Sequence, residues 1–381
     1  MENSGAKARQ RRNTPGSNRC RRPRGRIHGS SHNPCADRRE RMALFGRVPL
    51  LLALVWSAAH AAGSYVGSEA CAPCHQNEYD RHVRSRHANA LRPILQSPVA
   101  NILLHSQQRD AVLHYEARED GIAVIVALGG EEIAAKLEWA FGAGAQGITP
   151  VGRLDSRFFE SRVSYYPVAG RLATTFGHPA RAENPRAILG LLQSSHTITS
   201  CFGCHATNVG AGVDGPDLSE MQRGVQCERC HGPGQQHVAV AKAGGTRAEL
   251  RTTVVNPGRF SAKAEVEICG QCHRLPAAGD ASPAPELEDP VMVRFAPIGL
   301  MASRCFIASR KLACSTCHDA HENARTDVLY YSNRCAGCHD DAPKSGSSCR
   351  RAARQDCRPC HMRQASVGPY LKFTDHRIRV Y

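Results

Sequence analysis

The sequence predicts mainly short helices and loops wrapped around covalently bound groups, with a small antiparallel β-sheet in the N-terminal half. Three observations carry that expectation. Fourteen of the 18 cysteines fall into seven copies of one five-residue pattern, Cys-x-x-Cys-His. Six of those copies crowd into residues 201–361, which leaves too little chain for a conventional core. Aromatic residues make up only 6% of the chain, so something other than side chains must supply apolar interior.

The copies are Cys71/Cys74/His75, Cys201/Cys204/His205, Cys227/Cys230/His231, Cys269/Cys272/His273, Cys314/Cys317/His318, Cys335/Cys338/His339 and Cys357/Cys360/His361, numbered here as motifs 1 to 7. Two thiols separated by two residues reach the two vinyl groups of one porphyrin as thioethers, and the adjacent histidine ligates the iron. The expected fold class is therefore a multihaem cytochrome c, with seven covalent haem c groups and seven proximal histidines. One copy alone reads equally well as half a zinc site or a redox dithiol. Zinc modules pair such motifs without a fixed trailing histidine, and a thioredoxin fold carries one copy, so seven copies argue against both.

A proximal and a distal ligand approach opposite faces of a haem, so the sixth ligand normally comes from elsewhere in the chain. Beyond residue 61, nine histidines lie outside the motifs: His82, His87, His105, His114, His178, His196, His237, His321 and His376. That supply favours mostly bis-histidine ligation and low potentials over His/Met ligation. Met221, Met292, Met301 and Met362 read as packing residues. His321 stands three residues after His318 and His237 six after His231, too close to fold back onto their own haems. If they ligate, they serve neighbours. His87 and His376 complete the four leading distal candidates, with His178 and His196 behind them. His105 and His114 lie next to loop-like or strand-like sequence, and His82 reads as the surface partner of His87 on a shared helix.

The formal charge of +15 at first points to an anionic partner. Residues 1–41, however, hold 12 Lys/Arg against 3 Asp/Glu, whereas from Ala62 onward the balance is 36 against 31. Two propionates per haem offset that small surplus, so nucleic acid is not an expected partner. Residues 1–41, with Cys20 and Cys35, read as a disordered Arg-rich extension, consistent with a misassigned start. Residues 42–61 read as a Sec signal peptide: Arg47, the apolar run Val48–Ala58, and the cleavage tripeptide Ala59-His60-Ala61. An uncleaved anchor is the alternative, against which the apolar run is short, so no transmembrane anchor is expected in the mature chain. Export suits haem attachment, which takes place outside the cytoplasm.

The mature chain divides into residues 62–200, with motif 1 and the small sheet, and residues 201–381, with motifs 2 to 7. Val112–Arg118, an Asp120-Gly121 turn and Ile122–Leu128 read as a hairpin. Leu137, Trp139 and Phe141 alternate, and Phe158–Tyr166 is a fourth run. Short helices are expected after each motif, with a Pro/Ala-rich linker over Leu275–Pro290. Cys305 and Cys349 remain unassigned; in an oxidising compartment they pair as a disulfide, or else stay free thiols.

The stretch YVGSEACAPCHQNEYDRHVRSRHANAL resembles the start of the cytochrome c-552/4 family of periplasmic multihaem cytochromes, the cytochrome c-554-like group. GVQCERCHGPGQQHV, YYSNRCAGCH and the closing CRPCHM…FTDHRIR are similar to recurrent pieces of larger members, so the resemblance spans roughly residues 64–381. It implies covalent haem c, a periplasmic location and electron transfer between redox partner proteins, with His87, His237, His321 and His376 at positions of the family's extra histidines. Catalytic residues and oligomeric state do not follow from the sequence. The alternative function is a multihaem oxidoreductase acting on a small nitrogen or sulfur compound at one five-coordinate haem. No CxxCK variant of the kind used by the pentahaem nitrite reductase is present.

Overall fold

The computed structural model describes residues 64–106, 112–274, 286–339 and 356–381. Its N-terminal half contains, among the described residues, nine strands: β1 Leu91–Pro93, β2 Leu113–Arg118, β3 Gly121–Leu128, β4 Glu131–Phe141, β5 Thr149–Leu154, β6 Arg157–Ser161, β7 Val163–Tyr166, β8 Arg171–Thr174 and β9 Gly190–Leu192. Strands β2-β3-β4-β5-β6-β9 lie side by side in that order, all antiparallel, and β1 joins β4 where β3 stops. Strands β7 and β8 form a separate ribbon, linked to the sheet by a bridge between Ile148 and Tyr165.

The hairpin expected at Asp120-Gly121 forms, with Arg118 opposite Gly121. The sheet is larger than expected. Strand β5 lies in a segment without clear alternation, and the Phe158–Tyr166 run breaks at Arg162 into strands of two different sheets. The Arg162 amide donates to the Leu189 carbonyl at 3.0 Å and its guanidinium to the Ala180 carbonyl at 3.0 Å, which turns the chain out of β6.

The alternation of Leu137, Trp139 and Phe141 also needs correction. A bulge between Leu137 and Trp139 shifts the register against β5, and one extra residue swaps the faces of everything after it. Leu137 and Ala140 therefore face one core, with Ile94, Val99, Leu103 and the period-two set Ile122, Val124 and Val126. Trp139 and Phe141 face a second core on the opposite side, around Phe202.

The second half consists of short helices, but they do not simply follow the motifs. Helices Ser195–His205, Ala262–His273 and Val328–His339 run into motifs 2, 4 and 6 and end on the motif histidine. The reason is geometric: cysteines at i and i+3 and a histidine at i+4 share one face of a helix, so a helix through the motif presents all three groups together. Ser194 and Ser261 cap two of these helices, accepting from Thr197 N at 3.1 Å and Ala264 N at 3.3 Å. Most of the expected linker (275–285) lies outside the described residues, and Pro290–Arg294 forms a 3₁₀ turn. A hairpin of Gln364–Val367 with Leu371–Thr374 leads to His376.

Residues 64–90 pack against the haem-motif half as well as the sheet. Val66 and Gly67 amides bond Glu228, Arg81 pairs with Asp319, and the Arg86 amide donates to Asn323. Among the described residues no helix is long and apolar enough to cross a membrane.

Candidate haem sites

Four motif histidines face an imidazole brought from another part of the chain. His75 lies 6.4 Å from His237, His273 6.4 Å from His87, His231 6.2 Å from His321 and His318 6.3 Å from His376, measured between ring centroids. Metal–nitrogen bonds of about 2.0–2.1 Å on each face, plus roughly 1.1 Å from nitrogen to ring centre, put two trans imidazoles about 6.3 Å apart. The four leading distal candidates are thus the four that the fold brings to a motif histidine at the spacing of one shared iron. His237, six residues after His231, meets motif 1, and His321, three residues after His318, meets motif 3.

In five of these eight rings the second nitrogen is held by the protein. Nδ1 of His87, His231 and His376 bonds the carbonyls of Ala320 at 3.2 Å, Val255 at 2.8 Å and Thr374 at 2.9 Å. His237 Nδ1 bonds the Leu250 carbonyl and Thr253 Oγ1, and His321 Nδ1 bonds Asp319 Oδ1 at 2.9 Å. In motifs 2 and 7, His205 and His361 use the carbonyls of Ala90 and Arg379 in the same way. An Nδ1–H donated to a carbonyl fixes the tautomer and leaves the Nε2 lone pair for a metal. Burial holds His205, His231, His273, His318 and His376 below the ordinary imidazole value, which keeps that lone pair unprotonated.

Motifs 2 to 7 all contribute lining to one cavity of about 3120 Å³. An ordinary ligand pocket holds roughly 300–1,000 Å³, so this space is several times what one small ligand needs. The thiols of different motifs also meet. Cys71 lies beside Cys227, Cys204 beside Cys272, Cys269 beside Cys314 and Cys335 beside Cys357, while Cys230 lies within electrostatic reach of Cys269 and Cys317 of Cys335. Glu265, Cys269 and Cys314 come within 4.8 Å of one another, in the manner of a small metal site. Its thiols belong to motifs 4 and 5, and its carboxylate already accepts from the Ser315 amide and hydroxyl.

Motif 1 departs from this arrangement. Cys71, Cys74 and His75 do not line the shared cavity, and Cys74 is exposed, as are Cys338 and Cys360 of motifs 6 and 7, which do line it. The backbone explains why. Motif 1 is a tight turn ahead of the helix Gln76–His82 rather than the end of a helix, with the Cys74 amide donating to the Cys71 carbonyl at 3.2 Å. That turn points Cys71 inward to Cys227 and leaves Cys74 toward solvent, so a porphyrin held there would have one edge at the surface.

A family model described as cytochrome c554 and c-prime matches residues 179–232, the segment holding motifs 2 and 3. The match agrees with the Cys-x-x-Cys-His motifs it spans in pointing to c-type haem attachment. A c-type cytochrome holds haem c, and with it iron, through thioether bonds. No curated protein matches the chain. Among solved structures it is similar to the outer cell wall cytochrome OcwA, at 15% identity over 83% of this chain and 79% of that one, with a TM-score of 0.47. It is also similar to an undecahaem cytochrome from the S-layer of Carboxydothermus ferrireducens, at 15% identity over 73% of this chain and 43% of that one, with a TM-score of 0.39.

Other parts of the chain position these sites. Glu228, between the cysteines of motif 3, is 3% exposed, and its carboxylate accepts from the amides of Val66 at 2.9 Å, Gly67 at 2.9 Å and Gly234 at 2.7 Å. It bolts the entry to motif 1 onto motif 3. Gly224, at φ +78°, lets its backbone touch the Ala88 carbonyl, where a Cβ would collide. The adjacent Val225 amide donates to the His87 carbonyl at 2.9 Å and so fixes the loop that delivers His87. Phe202, inside motif 2, is fully buried against Trp139, Phe141 and Phe158 and joins that motif to the sheet.

His82 differs from its expected surface position. It is 6% exposed, lines the cavity, and has a buried Nδ1 without a hydrogen-bond partner among the described residues. An orphaned donor on the cavity wall suits a propionate oxygen. His178 and His196 are not brought to a motif histidine: His178 Nε2 bonds Glu160 Oε2 at 3.1 Å, and His196 is exposed on the helix that carries motif 2. His105 and His114 are exposed. Cys305 is half-buried, while its expected partner Cys349 lies outside the described residues. Sequence reasoning missed Glu228, because an isolated acid carries no pattern that marks it as buried or facing a site.

Proposed function

We propose that this chain is a multihaem c-type cytochrome with seven covalent haems, four of them bis-histidine ligated by His75/His237, His273/His87, His231/His321 and His318/His376, and that it conducts electrons between redox partner proteins outside the cytoplasm. The four imidazole pairs carry this reading. Each pair joins two segments distant in sequence at the spacing of one iron. Haem supplies a reversible ferric/ferrous couple, which two histidines set at low potential relative to His/Met ligation. The protein's part is to hold the imidazoles neutral, fix their tautomers and keep the attached porphyrins close.

The thiol contacts support an order for the path. A thioether marks an edge of its porphyrin, so motifs whose thiols lie close together would carry porphyrins whose edges approach. Motifs 1, 3, 4, 5, 6 and 7 follow one another in a line, and motif 2 joins it at motif 4 through Cys204 and Cys272. Motif 1 lies at one end of that line, and its exposed Cys74 edge is where an electron would enter or leave. Segment 42–61 exports the chain to the periplasm and is removed near Ala61, with residues 1–41 absent from the mature protein. Intact mass spectrometry of protein made with the haem-attachment machinery tests these statements together. The expected mass is that of residues 62–381 plus seven haems; a lower haem number, or peptides from residues 1–41, contradicts it.

A further inference from the structure

We propose that Tyr381 is a positioning residue for two haems at once. It closes residues 375–381 into a strap that holds His376 toward the haem of motif 5 and the backbone carbonyl of Arg379 against the proximal imidazole of motif 7. The inference rests on the ligand pair His318/His376 and on haem attachment at motif 7, and it adds a link between those two haems that electron conduction alone does not require.

Hydrogen bonds fix both ends of the strap. At one end His376 lies 6.3 Å from His318 between ring centroids, and its Nδ1 bonds the Thr374 carbonyl at 2.9 Å. At the other, His361 Nδ1 bonds the Arg379 carbonyl at 3.1 Å, and the Arg379 amide donates back to the His361 carbonyl at 3.2 Å. The Tyr381 amide donates to the Cys360 carbonyl at 3.3 Å. Only Arg377 and Ile378 separate His376 from Arg379, so a shift at either end reaches the other.

Side chains then close the loop. The Tyr381 hydroxyl donates to Asp375 Oδ2, which also lies 3.7 Å from the Arg379 guanidinium, while Asp375 Oδ1 accepts from the Arg377 amide at 2.8 Å. One carboxylate, next to His376, therefore gathers both ends. The guanidinium groups of Arg379 and Arg363 lie over the Tyr381 ring, 4.6 and 4.9 Å from its centre. The inner side of the strap is seated on the helix Ala296–Met301 and the residues after it. Ser303, 1% exposed, donates its hydroxyl to the His376 carbonyl at 3.1 Å and accepts from the Ile378 amide at 2.8 Å. A Cβ on Gly299 would meet the Arg377 nitrogen at 2.9 Å, so the backbone passes at close quarters. Arg377 itself pairs outward with Glu288 at 2.7 Å.

A carbonyl that accepts from Nδ1–H makes the imidazole a stronger donor to iron and so favours the ferric state. Arg379 supplies that carbonyl from its backbone, and no change of its side chain removes it. What can be removed is the closure. Loosening it weakens donation to the haem of motif 7 and the hold of His376 on that of motif 5, and raises both potentials.

Potentiometric titration of the fully loaded protein, followed optically and by EPR, tests this in two variants. Tyr381→Phe keeps the ring and loses the hydroxyl; Tyr381→Ala loses both. Two haems should titrate at higher potential than in the wild type, further in Tyr381→Ala than in Tyr381→Phe, with the others unmoved. In a His376→Ala background, Tyr381→Ala should move one haem only. Unchanged low-spin signals from the other three imidazole pairs show that each variant has folded. A Tyr381→Ala protein in which every potential shifts alike, none shifts, or a single haem shifts overturns the inference. If His376→Ala leaves the number of low-spin bis-histidine centres unchanged, the ligand pair fails rather than the strap.

Discussion

The imidazole of His321 lies 6.2 Å from that of His231, with the rings only 17° from parallel, although His321 sits three residues from a different motif histidine. The segment after motif 5 therefore meets motif 3. His237 does the same for motif 1 from beyond motif 3, and His376 for motif 5 from the C-terminal tail. With each pair ligating one iron as proposed, every such histidine would crosslink two segments, and ligation would be coupled to folding.

Replacing His321 should change one haem and spare the rest. In His321→Met the haem of motif 3 is expected to rise in potential by on the order of 100 mV, while the other three bis-histidine haems keep theirs. Spectroelectrochemical titration of the variant beside the wild type reads this. A shift confined to the haem of motif 5 would assign the ligand to its own motif instead.

Glu228→Ala should be among the most damaging changes away from the ligands. It strands the buried amides of Val66, Gly67 and Gly234, at a cost of about 2–4 kcal/mol. Glu228→Gln keeps one acceptor oxygen and should cost less. Glu78, half-exposed in its pair with Arg81, serves as the control and should move denaturant midpoints little when replaced.

Phe202→Ala should cost about 3–5 kcal/mol, because the ring is fully buried and contacts three aromatic rings edge-on. It also loosens motif 2 from the sheet. Thermal unfolding should fall, with the largest change in haem environment at motif 2; an unchanged midpoint would mean that the sheet and motif 2 do not share that core.

Stability should fall as the solution is acidified through the window set by His82. Burial, reinforced by His87 and His321, lowers its pKa to about 4 from an ordinary 6.5. Between those values the unfolded chain binds more protons than the folded one, so stability is present above pH 6.5 and declines as pH falls toward 4, by about 1–2 kcal/mol. His82→Asn should flatten that part of the pH profile in urea unfolding. An equal slope in wild type and variant would place the linkage elsewhere.

The haem-attachment motifs were legible in the sequence because their chemistry is local: five consecutive residues hold both thiols and the proximal imidazole. What the pattern does not carry is which thiol faces inward, and so the outward turn of Cys74 shows only in the fold. His237 and His321 were legible as ligand candidates from their positions near motifs they could not serve, and His87 and His376 from the resemblance of the sequence around them. Their partners were not, because pairing depends on contacts between segments as far apart as His87 and His273. The hairpin at Asp120-Gly121 was readable from its turn residues, whereas the bulge between Leu137 and Trp139 left an apparently regular alternation that changes face midway. His82 looked superficial because its helix is short and polar, and only the packing of motif 3 and the 319–323 loop against it makes it buried.

The most direct test of the account is quantitative EPR of the fully oxidised protein, with low-spin ferric intensity integrated against the haem content. At least four haems per chain should show the signature of two axial imidazoles, and His87→Ala, His237→Ala, His321→Ala and His376→Ala should each remove one. Fewer than four such centres, or variants that leave the count unchanged, would contradict the assignment of those pairs as axial ligands.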